Sequence, residues 1–339
     1  MSEEIELTLL DSPPQVERST DEGDILQLAD GRLLVVWSDY PTGGFPEAPT
    51  RIAAMTSADG GETWSAPYAL LDNAAQESVM CFSLLRLSSG EILFFYGRWQ
   101  SHADFQVFVR SSGDETRTWD EPVMITTGDG YCVMINARVI QLASGRIVAP
   151  IERTADCSVP GHVLVSTAFY SDDEGRSWTK SQTDLALPKR GAMEPGVVEL
   201  RDGRLLMIIR TQLGQIYRSY SNDEAVTWAE AEPMGLAVAP PAHAAISRLP
   251  TTDDLLLIWN REAGDNSSSP LTAAISSDEA ATWHHRHDLE PVGACSYAYP
   301  SVNFAEDRVL LTYWVTDREA QPPRLYMKFR SLPLAWLYR

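Results

Sequence analysis

The stretch SADGGETW, Ser57 to Trp64, decides the fold because it recurs. SGDETRTW ends at Trp119, SDDEGRSW at Trp178, SNDEAVTW at Trp228 and SSDEAATW at Trp283, so the tryptophans stand 55, 59, 50 and 55 residues apart. The shared skeleton is Ser-x-Asp-x-x-x-Thr/Ser-Trp. Self-similarity at a long, nearly fixed period marks a chain built from one repeated supersecondary unit. In such a turn the short Asp side chain bonds nearby backbone N–H groups, and the Trp is large enough to wedge between neighbouring sheets. Asp59, Asp114, Asp173, Asp223 and Asp278 are therefore expected to build turns.

A second unit recurs upstream of each tryptophan. It reads LADGRLLVVW (Leu28 to Trp37), LSSGEILFFY (Leu87 to Tyr96), LASGRIVAPI (Leu142 to Ile151) and LRDGRLLMII (Leu200 to Ile209), with weaker copies at Leu249 to Trp259 and Phe304 to Trp314. Each copy is a strand A, a tight turn and an apolar, β-rich strand B. In five copies a strand C, the Asp/Trp turn and a strand D follow. The pattern predicts an all-β chain, a six-bladed β-propeller formed as a single domain over residues 1–339. The sixth copy lacks the Asp/Trp turn and is one strand short. IELTLL, Ile5 to Leu10, is expected to supply that strand and cover two sheet edges.

Acidic residues outnumber basic ones 47 to 27, for a net charge of −20. That surface repels nucleic acid and anionic membrane, so neither is an expected partner. No stretch approaches the roughly 20 apolar residues of a membrane span. The start, MSEEIELTLLDSPP, has no basic region and no apolar run, and a cytoplasmic location is expected. Cys81, Cys132, Cys157 and Cys295 show no metal-type spacing and are expected to be reduced thiols. HHRHD, His284 to Asp288, is expected to be a solvated strand. No metal and no cofactor are called for.

Topology then places the chemistry. If strand A runs to the Asp-Gly turn and strand C to the Asp/Trp turn, both turns share one end of each sheet. The opposite end carries the start of A, the end of B and the variable B–C loop, where function is usually carried. Six residues before each opening Leu (Phe304 in the sixth copy), strand A begins with Glu22, Cys81, Asn136, Glu194, His243 and Ala298. Where strand B returns stand Ser38-Asp39, Gly97-Arg98, Glu152-Arg153, Arg210-Thr211, Asn260-Arg261 and Trp314. Arg98, Arg153, Arg210 and Arg261 at nearly equivalent places in so acidic a chain suggest a basic pocket for a carboxylate. Glu22, His243 and Arg138 join them as candidate substrate-binding residues.

These residues resemble the sialidase (neuraminidase) superfamily. The Asp/Trp turns look like its Asp boxes, and GAMEPGVVELRDGRLLMIIRT resembles the segment in which a strand-A Glu assists a tyrosine nucleophile and a strand-B Arg binds the substrate carboxylate. Glu194 and Arg210 match those roles. SYAYPSV resembles the segment with the nucleophile, giving Tyr299 first and Tyr297 second. The resemblance asks for a general-acid carboxyl in the first B–C loop: Glu47, with Asp39 as second choice. TDEGDILQL, Thr20 to Leu28, lacks the first Arg of the family's triad, and SSSP stands where the third would be. In these departures the chain is similar to bacterial sialidase-like BNR-repeat proteins. The resemblance implies an exo-acting glycosidase on a small acidic or decorated sugar. Two other readings stay open: a uronate lyase using Arg210 with His243 or Tyr299, and a sugar-binding propeller without catalysis.

Overall fold

The computed structural model describes residues 4–11, 22–39, 51–71, 78–128, 130–238, 243–261, 269–321 and 324–339. Among them the only helix is a short 3-10 turn, Leu334–Tyr338. The chain forms two compact units, Met1–Ala74 with Ala237–Arg339, and Ala75–Leu236.

The first unit holds β1 (Ile5–Asp11), then β2 (Asp24–Gln27), β3 (Leu33–Asp39), β4 (Arg51–Ser57) and β5 (Tyr68–Leu71). The second unit begins with β6 (Ser78–Arg86), β7 (Ile92–Ser101), β8 (Asp104–Ser112) and β9 (Val123–Met124). It continues through β10 (Gly130–Val133), β11 (Ile140–Gln141), β12 (Ile147–Thr154), β13 (Val165–Ser171), β14 (Thr179–Lys180) and β15 (Leu185–Ala186). Its last sheet is β16 (Met193–Glu199), β17 (Leu205–Arg210), β18 (Gln215–Ser221) and β19 (Glu232–Ala237). The chain then returns to the first unit with β20 (Ala244–Arg248), β21 (Leu255–Asn260), β22 (Leu271–Ser276) and β23 (His284–Glu290), followed by β24 (Cys295–Ala305), β25 (Arg308–Asp317) and β26 (Arg324–Pro333).

Strand pairing follows the repeat. β2-β3-β4-β5, β16-β17-β18-β19 and β20-β21-β22-β23 are four-stranded antiparallel meanders. β6 to β9 form another, joined to the β10–β15 meander by a short parallel pairing of Gly130 and Tyr131 with Asp104 and Phe105. In that sheet strand A is interrupted, and β10 and β11 pair separately with β12. β24, β25 and β26 take β1 as their fourth strand, with Ile5 opposite Ser331 and Asp11 opposite Tyr326.

Cores form where adjacent sheets of a unit face each other. Ile25, Leu33 and Val35 meet Leu310, Trp314, Met327 and Phe329, while Leu93, Phe95 and Val107 meet Ile147, Ala149 and Ile151. The Asp/Trp turns lock these layers. Around Asp59, Ser57 Oγ donates to Oδ1 (2.7 Å), Thr63 N–H to Oδ1 (2.9 Å) and Thr63 Oγ to Oδ2 (2.5 Å). The same set recurs at Asp114, Asp173, Asp223 and Asp278. Trp64 lies edge-on to Phe329 of the next sheet with centroids 5.2 Å apart, and Trp178 does the same to Phe95 at 5.8 Å. Gly61 is required under Trp64: its φ is +103°, and a Cβ would stand 2.3 Å from the Phe329 ring.

Candidate active site

Strand A is bulged near its start, and the bulge recurs. In β6 the pairing slips between Met80 and Ser83, in β16 between Met193 and Gly196, and in β24 between Ala298 and Ser301. At the first residue of each slip the backbone turns left-handed: Cys81 at φ 62°, Glu194 at 44° and Tyr299 at 55°. None is glycine, so each position carries strain of about 1–3 kcal/mol and persists because its surroundings hold it. A bulge re-aims one side chain out of the strand's alternation, which is what a functional residue at a sheet end requires.

This geometry corrects the repeat register. Counting six residues before the opening position gives Ala298 and Asn136, whereas the left-handed residues are Tyr299 and Ala137. Tyr299 is thus the local counterpart of Glu194. Tyr297, the second choice for nucleophile, is buried in an apolar cluster beside Tyr313, and burial pushes its phenol well above the usual tyrosine value, with the Glu290 charge adding to the push.

In the second unit Arg210 Nη1 donates to Glu194 Oε1, pairing the end of strand B with the bulge of strand A. The two side chains are only 14% and 9% exposed, so water screens the pair weakly. Arg138 reaches Gly196, the first residue paired after the bulge: a Cβ there would lie 3.4 Å from Arg138 Nη1. Arg138 is itself buried. The amide of Glu194 donates to Glu152 Oε2 at 2.7 Å. Glu152 is buried at the end of β12, and burial pushes its carboxyl up to about 7. The neighbouring Glu194 charge adds to the rise; the Glu194 amide, Arg210 and Arg190 oppose it. Sequence reasoning missed Glu152 as a site residue, although its place beside Arg153 at a strand-B end was the available signal.

Each of the other arginines has neighbours of its own. Arg153 bonds Asp184 (3.3 Å) and lines a cleft of about 400 Å³ with Gly130, Thr154, Ala155, Val163 and Val165. Arg98 lies over the Phe108 ring at 4.7 Å. Arg261, in the first unit, makes two bonds to Asp288 (3.0 and 2.7 Å), which also accepts from Thr272. Arg261 is thereby engaged with the outer strand of its own sheet.

The first unit assembles a second cluster. The buried His243 ring packs on Tyr299, with centroids 4.0 Å apart. The His243 amide donates to Asn260 Oδ1 (3.2 Å), whose Nδ2 donates to the Tyr297 carbonyl (3.1 Å), so Asn260 ties the starts of two strand A segments together. Below Tyr299, Ser301 Oγ donates to the buried Asp24, which also accepts from the Ile25 amide (2.7 Å). Glu22 is buried two residues earlier, and Asp39 ends β3 half-buried. Glu47 lies outside the described residues.

The arrangement offers a strained phenol against an imidazole in one unit, and a carboxylate–guanidinium pair beside a buried carboxyl in the other. A model of the family described as BNR repeat-like domain matches residues 31–311. The chain is 25% identical over 237 residues to a sialidase of Clostridium perfringens, a match covering 62% of this chain and 60% of that protein, so it spans less than two thirds of that relative. Its fold is similar to a Dyadobacter fermentans protein of unknown function (TM-score 0.74, 18% identity, 96% and 99% of the two chains). It is also similar to Trypanosoma rangeli sialidase in complex with the inhibitor DANA (TM-score 0.73, 15% identity, 97% and 59%). The β-propeller fold of sialidases is therefore the fold of this chain.

Proposed function

We propose a function from one premise: the chain belongs to the BNR repeat-like domain family. The reading is a sialidase-family exo-glycoside hydrolase that acts on a small sugar acid, with Tyr299 as nucleophile. The observation that supports it is the recurring bulge. Glu194 and Tyr299, two of the residues singled out by the sialidase resemblance, are both left-handed at equivalent points of strand A.

A tyrosine suits a substrate whose reacting carbon bears its own carboxylate, because an attacking carboxylate would be repelled. A phenol titrates near 10 and needs a base to become nucleophilic. The resemblance gives that role to Glu194 and the binding of the sugar carboxylate to Arg210. In the first step the phenol oxygen bonds to the anomeric carbon as the glycosidic C–O bond breaks. The base takes the phenol's proton, and an acid, Glu47 or Asp39, protonates the leaving oxygen. Water, giving its proton to the acid's conjugate base, then displaces the phenolate, which takes its proton back from Glu194, leaving the free sugar.

A fluorinated sialosyl fluoride tests the reading, since it forms the glycosyl intermediate and releases it slowly. The expected result is one fluorosugar on the Tyr299 peptide, none on Tyr299→Phe, and unchanged labelling of Tyr299 in Tyr297→Phe. Glu194→Gln is expected to lower kcat on an aryl sialoside about 100- to 10,000-fold. A fully active Tyr299→Phe overturns the assignment. The packing of His243 on Tyr299 favours one runner-up, a uronate lyase with the two rings at the α-proton. New ultraviolet absorbance from a C=C bond during digestion of uronate oligosaccharides would select it.

A further inference from the structure

We propose that Glu152 is a positioning residue of this site: its carboxyl holds Glu194 in the left-handed bulge through the Glu194 amide, and its charge adds to that of Glu194 beside Arg210. The catalytic consequence rests on the function proposed above; the contact itself does not.

Glu152 belongs to β12, with Val133 and Ser166 as its strand partners, and reaches across to the next sheet of the same unit. Its Oε2 accepts the Glu194 N–H at 2.7 Å, at the residue whose φ of 44° is the costly one. The slip between Met193 and Gly196 takes Glu194 out of the regular register with strand B. An amide outside the ladder needs an acceptor, and Glu152 supplies one. Removing that acceptor takes this bond from the bulge.

Charge gives the second half. The groups around the Glu152 carboxyl are Glu194 on β16, Arg210 on β17 and Arg190 before β16, with Arg153 next to it on β12. Arg210 Nη1 bonds Glu194 Oε1, and Glu152, when ionised, adds a second negative charge beside that pair. A proton on Glu152 removes that charge, so an anion from solution meets less repulsion beside Arg210. Burial raises Glu152 until this protonation falls near neutral pH, at about 7. An anionic sugar is therefore held better below this value than above it.

Glu152→Gln keeps an acceptor oxygen and abolishes the titration; Glu152→Leu abolishes both. The first measurement is carbon-13 NMR of carboxyl-labelled glutamate in the wild-type chain. A Glu carboxyl titrating near pH 7 that vanishes in Glu152→Gln is expected, together with a large shift of the Glu194 amide in Glu152→Leu. A wild-type spectrum in which every Glu carboxyl titrates below pH 5.5 overturns the charge effect, and an unmoved Glu194 amide overturns the contact. If Glu152→Leu does not fold, Glu152→Gln alone decides, because the amide signal must stay while the titration goes. The second measurement is the pH profile of an aryl sialoside. KM is expected to rise through pH 7 in the wild type and to stay flat in Glu152→Gln, while kcat of Glu152→Leu falls about 100-fold. A chain that turns over no sugar acid defeats the proposed function, whereas the role of Glu152 stands or falls on its carboxyl titration and the Glu194 amide shift.

Discussion

At the scale of residues, a left-handed position recurs where the chemistry is proposed. Cys81, Ala137, Glu194 and Tyr299 all turn near the start of strand A, and each is a non-glycine residue that a fresh design would replace by Gly. Ala137 tests this cost cleanly, because it carries only a methyl group and its amide bonds the Phe82 carbonyl (3.0 Å) in a way Gly would keep. Ala137→Gly is expected to raise unfolding free energy by about 1 kcal/mol. In contrast, Ala149→Gly, on a regular and fully buried stretch of β12, is expected to lower it by about 1 kcal/mol or more. Urea unfolding of both variants checks the sign. Glu194 and Arg210 were legible because repeats allow position-by-position comparison. Tyr299 was legible only to within one residue, since a bulge shifts register without changing spacing. Glu152 was legible in place, beside Arg153 at a strand-B end, and not in role: burial of a carboxyl depends on the neighbouring sheet, which the local sequence does not record.

At the scale of elements, the turns were the most readable part. Their hydrogen bonds join residues two and four apart, so the whole device lies inside one eight-residue word. The split of the third strand A into β10 and β11 had no such local mark. β1 is a third case, an apolar strand whose place is fixed by charges distant in sequence. Lys328 on β26 bonds Glu6 of β1 (2.6 Å) and the buried Glu290 of β23 (2.5 Å). Arg330 pairs with Glu4, and Tyr313 Oη also donates to Glu290. Lys328→Met takes the nearer of two cations from Glu290, a side chain only 8% exposed that keeps Arg330 at 3.8 Å, and is expected to cost about 2 kcal/mol. Lys328→Met with Glu290→Gln, which removes the buried charge as well, is expected to recover much of that loss. Thermal unfolding of the single and double variants measures the coupling; simple additivity would contradict it.

At the scale of the whole molecule, five copies of one turn make acid stability a collective property. Hydrogen bonds from Thr63, Thr118 and Thr282 hold the carboxyls of Asp59, Asp114 and Asp278 down to about 2, and Asp173 and Asp223 are lowered in the same way. Each turn binds its proton more weakly folded than unfolded. Their stabilisation is complete above the ordinary aspartate value and is lost as pH falls from about 4 to about 2. Glu152 has the opposite sign. Its raised value means the folded chain holds the proton more tightly, so its contribution is complete below the ordinary glutamate range and is lost as pH rises through about 7. Screening in these exposed turns keeps each Asp contribution small, and the five act together. The melting temperature is therefore expected to peak near about pH 5, fall steeply below pH 4 and decline gently toward pH 8. That peak lies close to the isoelectric point of 4.6, where loss of net charge favours association, so circular dichroism at micromolar concentration is the suitable measurement. Glu152→Gln is expected to flatten only the neutral side, and Asp→Asn at all five turns only the acid side. An acid limb that survives the fivefold replacement would assign acid unfolding to other carboxyls.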